Sequence, residues 1–277
     1  MLALAACSGG NSSKAADDPA STDKKGDAEV VMPILYQQQA AEYRALCLQA
    51  YNIAKERVNQ YKNTKTDKDS LAIITDLDET ALDNSANEAQ LFLDSATYSP
   101  KEFNAWGKLK MAKAVPGSVA FFNFANDLNG RLKKKIDIFY VSNRDISLVG
   151  PTMDNMQALG FPQVVASHFL FSADSKKPSK ESRRERIEKN HYVIVLLGDN
   201  LIDLDSAFDS DDHKLTEGER RARVDGLAET WGRKYIVFPN AIYGDWEGAL
   251  YNYNYPTVLD TTWTIRKDSL HGYKSNQ

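Results

Sequence analysis

Asp76 and Asp78 stand two residues apart at the end of an apolar run, in the string Ile73-Ile74-Thr75-Asp76-Leu77-Asp78-Glu79-Thr80. Residues at i and i+2 of an extended strand point to the same side, so a strand ending in Asp-x-Asp presents two acids together. In an α/β sheet that edge is where ligands bind. Two adjacent carboxylates do not both ionise cheaply unless a cation lies between them or one keeps its proton. A cation makes a metal site, and a retained proton makes a general acid beside a nucleophile. Taken alone, the string also reads as a solvated acidic turn.

Three further polar clusters follow apolar runs. Ile136–Val141 leads into Ser142-Asn143-Arg144-Asp145, and Tyr192–Leu197 leads into Gly198-Asp199-Asn200-Leu201-Ile202-Asp203. Between them lies Lys177-Pro178-Ser179-Lys180. Each has a purely structural reading. Ser142-Asn143 fits a turn, Asp199 and Asp203 fit a helix cap and a solvated face, and Lys180 fits an exposed helix. Together, on one edge of a parallel sheet, they supply acids, a hydroxyl, an amide and a lysine. That set suits a phosphate ester and a divalent cation, because magnesium favours carboxylates, waters and phosphate oxygens.

The elements that must position these residues alternate. A helical pattern covers Ile34 to Tyr61. Leu71–Thr75, Lys135–Ser142, His168–Phe171, Tyr192–Leu197 and Lys234–Phe238 read as strands. Ser99-Pro100 opens a helix to Lys110, and Val115-Pro116-Gly117 opens another through Phe121, Phe124 and Leu128. Leu148–Leu159 and Glu181–Lys189 read as helices, the first stopped by Gly160. Strand–helix alternation predicts an α/β fold, a Rossmann-like parallel sheet with helices on both faces. The strands are continuous apolar runs, as strands buried on both faces are.

The 277-residue chain carries a net charge of −4, with 42% hydrophobic and 26% charged residues. That balance describes a globular protein and argues against nucleic acid as the main partner, which needs a basic face. Basic residues do cluster locally, at Lys176, Lys177, Lys180, Arg183, Arg184 and Arg186, enough to hold one small phosphate. Of two cysteines, Cys47 sits in a helical pattern and reads as a packed core thiol. Cys7 ends Leu4-Ala5-Ala6-Cys7, a string similar to a bacterial lipobox, with Cys7 the lipidation site. The usual basic start and full apolar segment are missing, so the chain reads as truncated or mis-started upstream. The domain organisation expected is a truncated lipoprotein signal and disordered linker over 1–29, then one domain over 30–277.

The fuller strings narrow the reading. Asp76-Leu77-Asp78-Glu79-Thr80 with Leu82-Asp83-Asn84-Ser85, Val141-Ser142-Asn143-Arg144, Gly198-Asp199-Asn200-Leu201, and Pro239-Asn240-Ala241-Ile242-Tyr243-Gly244-Asp245-Trp246-Glu247 resemble the haloacid dehalogenase superfamily, and within it the lipoprotein e-like class C bacterial acid phosphatases. The resemblance runs from about Tyr36 to Tyr251. It implies the haloacid dehalogenase fold with a small helical cap, and a magnesium-dependent phosphomonoesterase acting through an aspartyl-phosphate. Asp76 would be the nucleophile and Asp78 the acid and base. Magnesium would be held by Asp76, the Asp78 carbonyl and Asp199, with Asp203 holding metal-bound water. Ser142, Asn143 and Lys180 would bind the phosphoryl group, with Lys177 the competing lysine. The resemblance further implies a homodimer on a lipid anchor in the bacterial envelope, at the outer membrane or facing the periplasm.

Trp106 and Tyr243 match positions where the family keeps aromatics. They read as substrate-stacking groups for nucleoside 5′-monophosphates or aryl phosphates, or as core aromatics. One departure stands out. The family often carries Asp-Asn-Ser-Pro-Tyr where this chain has Asp83-Asn84-Ser85-Ala86-Asn87, which puts nucleotide preference in question and makes Tyr98 a candidate substitute. Broad acid phosphatase is the leading reading. A narrow 5′-nucleotidase for nucleotide salvage and a non-catalytic binding or adhesion lipoprotein are the alternatives.

Overall fold

The computed structural model describes residues 31–173, 179–208, 214–256 and 258–273. Residues 31–39 are helical, followed by α1 (Ala41–Tyr61) and the central strand β1 (Ser70–Thr75). Next come β2 (Leu82–Asp83), α2 (Ser85–Leu93), α3 (Pro100–Leu109), β3 (Lys113–Ala114) and α4 (Ser118–Asp127). β4 (Ile136–Asp145), α5 (Val149–Ala158), β5 (Phe169–Ser172), α6 (Glu181–Glu188) and β6 (His191–Gly198) complete the centre. α7 (Glu217–Gly226), β7 (Tyr235–Val237), α8 (Asp245–Leu250) and α9 (Leu259–Asp268) follow. Among the described residues no helix is long and apolar enough to cross a membrane.

The sheet is parallel throughout, in the order β5-β4-β1-β6-β7. β1 lies in the middle, and its successive residues feed opposite cores. Leu71 and Ile73 pack with Tyr51 of α1, Phe122 of α4 and Met156 of α5. Ala72 and Ile74 pack with Ile187 of α6, Leu204 and Tyr235. This two-sided burial explains the unbroken apolar runs. Thr75 is level with Tyr140 and Leu197, so β1, β4 and β6 deliver their C-terminal residues to one edge.

Local chemistry sets the boundaries. Ser99 accepts the Glu102 N–H at 3.2 Å and Pro100 opens α3, an N-cap followed by a proline that has no N–H to lose. Gly160 stops α5 with φ 84°. The expected helix from Ile34 to Tyr61 is interrupted at Ala40, whose ψ of 128° is extended. The interruption resets the helical phase, so Ile34 and Gln37 before it and Tyr43 and Cys47 after it are all buried. Cys47 is the core thiol expected, with its pKa raised to about 11 by burial.

Two corrections concern the region near the site. β4 does not stop at Ser142 but carries Asn143, Arg144 and Asp145 within it. Its pairing with β5 shifts between Ser142 and Asp145. The helical insert between β1 and β4 holds α2 as well as α3, closed by the antiparallel β2–β3 pair, Leu82 with Ala114.

Gly198 at the end of β6 is where a second residue comes closest. A Cβ there would lie 2.5 Å from Asp203 Cβ and 2.7 Å from its carboxylate. Gly198→Ala must therefore push Asp203 away, and overpacking of this kind costs about 1–3 kcal/mol. Urea unfolding should show that loss; a stability equal to wild type would mean that the Asp203 loop yields freely.

Candidate active site

Asp76 follows β1, and its N–H continues the ladder to Leu197 O at 2.9 Å. Asp199 and Asp203 follow β6, and Lys180 is the N-cap residue of α6. Carboxylate oxygens of Asp76, Asp199 and Asp203 all lie within 4.8 Å of one another. Lys180, only 3% exposed, pairs with Asp76 and, at 2.7 Å, with Asp203. Asp199 is held by Asn240 Nδ2 at 2.8 Å and by the Thr80 hydroxyl at 3.4 Å. Asp203 also accepts the Asn200 N–H at 3.1 Å.

Three carboxylates against one ammonium leave an excess of negative charge in a buried place. Burial pushes Asp76 up to about 7, with Lys180 pulling it down and Asp203 and Asp78 pushing it further up. Burial, then Asp203 and Asp76, drives Asp199 well above the carboxylate range, against the pull of Asn240. Lys180 is held above its usual value, because Asp203 and Asp76 outweigh the burial that lowers it. A divalent cation would relieve this excess. The donor set is carboxylate oxygen, which suits a hard cation, so the residues present fit one.

Asp78 has a different set of partners. Arg144 reaches its carboxylate with Nη2 at 2.7 Å and Nε at 3.0 Å. Asn84 Nδ2 donates at 2.7 Å and the Ser142 hydroxyl at 3.3 Å. Burial would raise Asp78, but the charge and hydrogen bonds of Arg144, with Asn84, hold it below the usual carboxylate range. The two acids of the Asp-x-Asp string therefore do not share one cation or one proton. Each has its own basic partner, Lys180 for Asp76 and Arg144 for Asp78.

The other expected residues are placed as follows. Ser142 is fully buried between Asp78 and the Arg144 N–H, 3.1 Å away. Asn143 is exposed, and its side-chain oxygen accepts from Arg183. Arg183 also donates to the carbonyls of Ser142 at 2.6 Å and Ser179 at 3.0 Å, tying β4 to the loop before α6. Trp106 is 8% exposed and joins the core, and its indole N–H donates to Asn84 Oδ1 at 2.8 Å. Tyr243 is half-buried, with its hydroxyl on Glu79. Tyr98 lies tilted beside Phe103, with centroids 6.1 Å apart, and Phe103 lies 5.6 Å from the Arg144 guanidinium. Lys180 is the lysine that touches Asp76. Lys177 and Cys7 lie outside the described residues.

Arg144, Arg183, Thr80, Asn84 and Asn240 are the polar groups that the strand-end reading gives no role. Arg144, Asn84 and Asn240 fall inside the family-like strings. An arginine after a strand end otherwise reads as a surface charge, and only packing reduces Arg144 to 4% exposure.

Comparison with known proteins agrees with this geometry. Residues 12–246 match the family model of the HAD superfamily, subfamily IIIB (acid phosphatase). The fold is similar to the class C acid phosphatase from Bacillus anthracis, with TM-score 0.81 and 35% identity over 90% of this chain and 99% of that one. A second structure of a class C acid phosphatase from Bacillus anthracis, with tungstate bound, matches with TM-score 0.80 and 34% identity over the same shares.

The charge arrangement predicts a pH-dependent stability. Asp76 is raised from an unfolded value of about 3.9 to about 7. Its contribution to stability is present below the unfolded value and is lost as pH rises through the folded one. In chelator, wild type should therefore lose stability relative to Asp76→Asn between about pH 4 and about pH 7. Thermal melts of both proteins test this, and a constant difference would contradict the assignment. Added divalent cation should raise the melting temperature more at about pH 7 than at about pH 5, because it binds the ionised cluster.

Proposed function

The chain belongs to the acid phosphatases of the HAD (haloacid dehalogenase) superfamily, subfamily IIIB, phosphomonoester hydrolases, and on that premise we propose a magnesium-dependent enzyme of broad specificity that works through an aspartyl-phosphate. The observation that carries the reading is the separation of two adjacent acids between two cations, with Asp76 in the acidic cluster and Asp78 outside it.

Asp76 is the nucleophile. An oxygen of its carboxylate bonds to phosphorus while the ester P–O bond breaks, its electron pair passing to the leaving oxygen. Asp78 gives that oxygen a proton and later takes one from water, whose oxygen bonds to phosphorus as the bond from phosphorus to the Asp76 oxygen breaks, freeing phosphate and Asp76. Lys180 holds Asp76 in place and offsets charge on the phosphoryl oxygens. Ser142 and Asn143 lie at the adjoining end of β4, on the phosphoryl side. Magnesium would be held by Asp76, Asp199 and the Asp78 carbonyl, with Asp203 behind it. When bound, it neutralises phosphate charge and favours the ionised nucleophile.

Asp78 must carry a proton to donate one, and Arg144 holds its carboxyl low. The competent fraction grows as pH falls, so activity should peak below neutral pH. Hydrolysis of an aryl phosphate at mildly acidic pH, with magnesium and then with chelator, is the direct test. Magnesium-dependent turnover, abolished by about 1000-fold or more in Asp76→Asn, is expected. Full activity in excess chelator would overturn the metal assignment.

Trp106 and Tyr243 were expected to stack on substrate. Tyr243 keeps that place in the proposal, whereas Trp106 serves it through Asn84. Aryl phosphates and nucleoside 5′-monophosphates should outrun sugar phosphates; an even profile would remove the stacking role. The lipobox-like Leu4-Ala5-Ala6-Cys7 supports a lipid-anchored enzyme of the bacterial envelope, and the family resemblance supports a homodimer. Expressed in a bacterium behind a lipoprotein signal segment joined at Leu4, the protein should partition into detergent and Cys7→Ser should release it. Sedimentation at the monomer mass would count against the dimer.

A further inference from the structure

Glu79 follows Asp78 in the chain, is fully buried, and has no part in the reaction above. Its φ of 57° lies in the left-handed region, where glycine costs least. Glycine would ease the backbone there but would bring no carboxylate, and this carboxylate is occupied from three directions. Oε1 accepts the Asn84 backbone N–H at 2.7 Å and the Gln37 side-chain amide at 3.4 Å. Oε2 accepts Asn84 Nδ2 at 3.2 Å and meets the Tyr243 hydroxyl. It therefore joins the helical segment 31–39, the start of α2 and the loop after β7.

Asn84 passes this constraint to Asp78. The same Nδ2 that Glu79 accepts donates to Asp78 Oδ1 at 2.7 Å. Asn84 Oδ1 accepts from Trp106 Nε1 at 2.8 Å and Arg144 Nη2 at 3.3 Å. With carboxylates on one side of the amide and donors on the other, only one orientation of Asn84 satisfies every partner. Turned over, its oxygen would face Glu79 and Asp78, and its NH2 would face two other donors.

We propose that Glu79 is a positioning residue for the leaving-group proton: by fixing the Asn84 amide it aims the Asp78 carboxyl at the leaving oxygen. This rests on the reading of Asp78 as the acid. In the step concerned, the Asp76–phosphorus bond forms, the bond from phosphorus to the leaving oxygen breaks, and the Asp78 proton moves to that oxygen. A phenol as acidic as 4-nitrophenol departs as the anion and needs that proton little, whereas an alkyl alcohol needs it fully.

The experiment compares kcat/KM for glycerol 2-phosphate and for 4-nitrophenyl phosphate in wild type, Glu79→Gln, Glu79→Ala and Asp78→Asn, with magnesium present. General acid catalysis contributes about 100-fold or more. Glu79→Gln should therefore lose about 100-fold on the alkyl ester and less than about 5-fold on the aryl ester. Glu79→Ala should lose selectively in the same direction. The ratio of the two substrates on one preparation does not depend on how much of that preparation is folded. Equal losses on both esters in the Glu79 variants, beside a selective loss in Asp78→Asn, would overturn the positioning role and leave the acid reading standing. Equal losses in Asp78→Asn as well would overturn both.

Discussion

The ammonium of Lys180 is buried between Asp76 and Asp203, and the site depends on it. Taking such an ion out of water costs several kcal/mol, which only close carboxylates return. Those carboxylates come from the end of β1 and from the loop after β6, and the lysine from the start of α6. Three crossovers must therefore return to the same edge for any of the charges to be tolerable. One lysine does not balance three acids, and the surplus charge that remains suits a divalent cation. Fold and site are in this sense a single constraint, because moving one strand end would leave an unpaired buried charge.

The second basic partner divides the chemistry. Two acids two residues apart are driven in opposite directions: burial, with Asp203 and Asp78, raises Asp76 against the pull of Lys180, whereas Arg144 holds Asp78 down. Environments that separate neighbouring carboxyls in this way are how one site holds two roles. For the protein without metal the directions look inverted, with the attacking group raised and the donating group lowered. A cation among Asp76, Asp199 and Asp203 favours the ionised form of the first. In the proposed mechanism acidic medium would supply the proton of the second.

Much of this was legible in the sequence, because the strands are continuous apolar runs and Asp76 and Asp199 stand directly after two of them. Periodicity and the Ser99-Pro100 and Gly160 signals placed β1, β4, β6, α3 and α5 closely. What escaped was set by packing across the chain. Nothing local marks the interruption at Ala40, which serves to turn Gln37 and Tyr43 inward together. The two-residue strands β2 and β3 are too short to carry a period. The pairing of the acids was read from strand geometry, but β1 ends at Thr75 and a loop carries Asp76 to Asp78, so the alternation no longer applies. Arg144 looks like any surface arginine until its partners are known.

The departure at Ala86-Asn87 shows how a residue can be lost from a motif without emptying its place. Asn87 is buried and donates to Glu88 at 3.1 Å, so it serves the packing of α2. Aromatic surface beside Arg144 comes instead from Phe103 at its face and from Tyr98 next to Phe103. A planar guanidinium can give its edge to a carboxylate and its face to a ring at once, which an ammonium cannot do. Arg144 therefore fixes the acid and the aromatic wall in one geometry. Phe103 belongs to α3, and the residue that meets its ring, Arg144, belongs to β4.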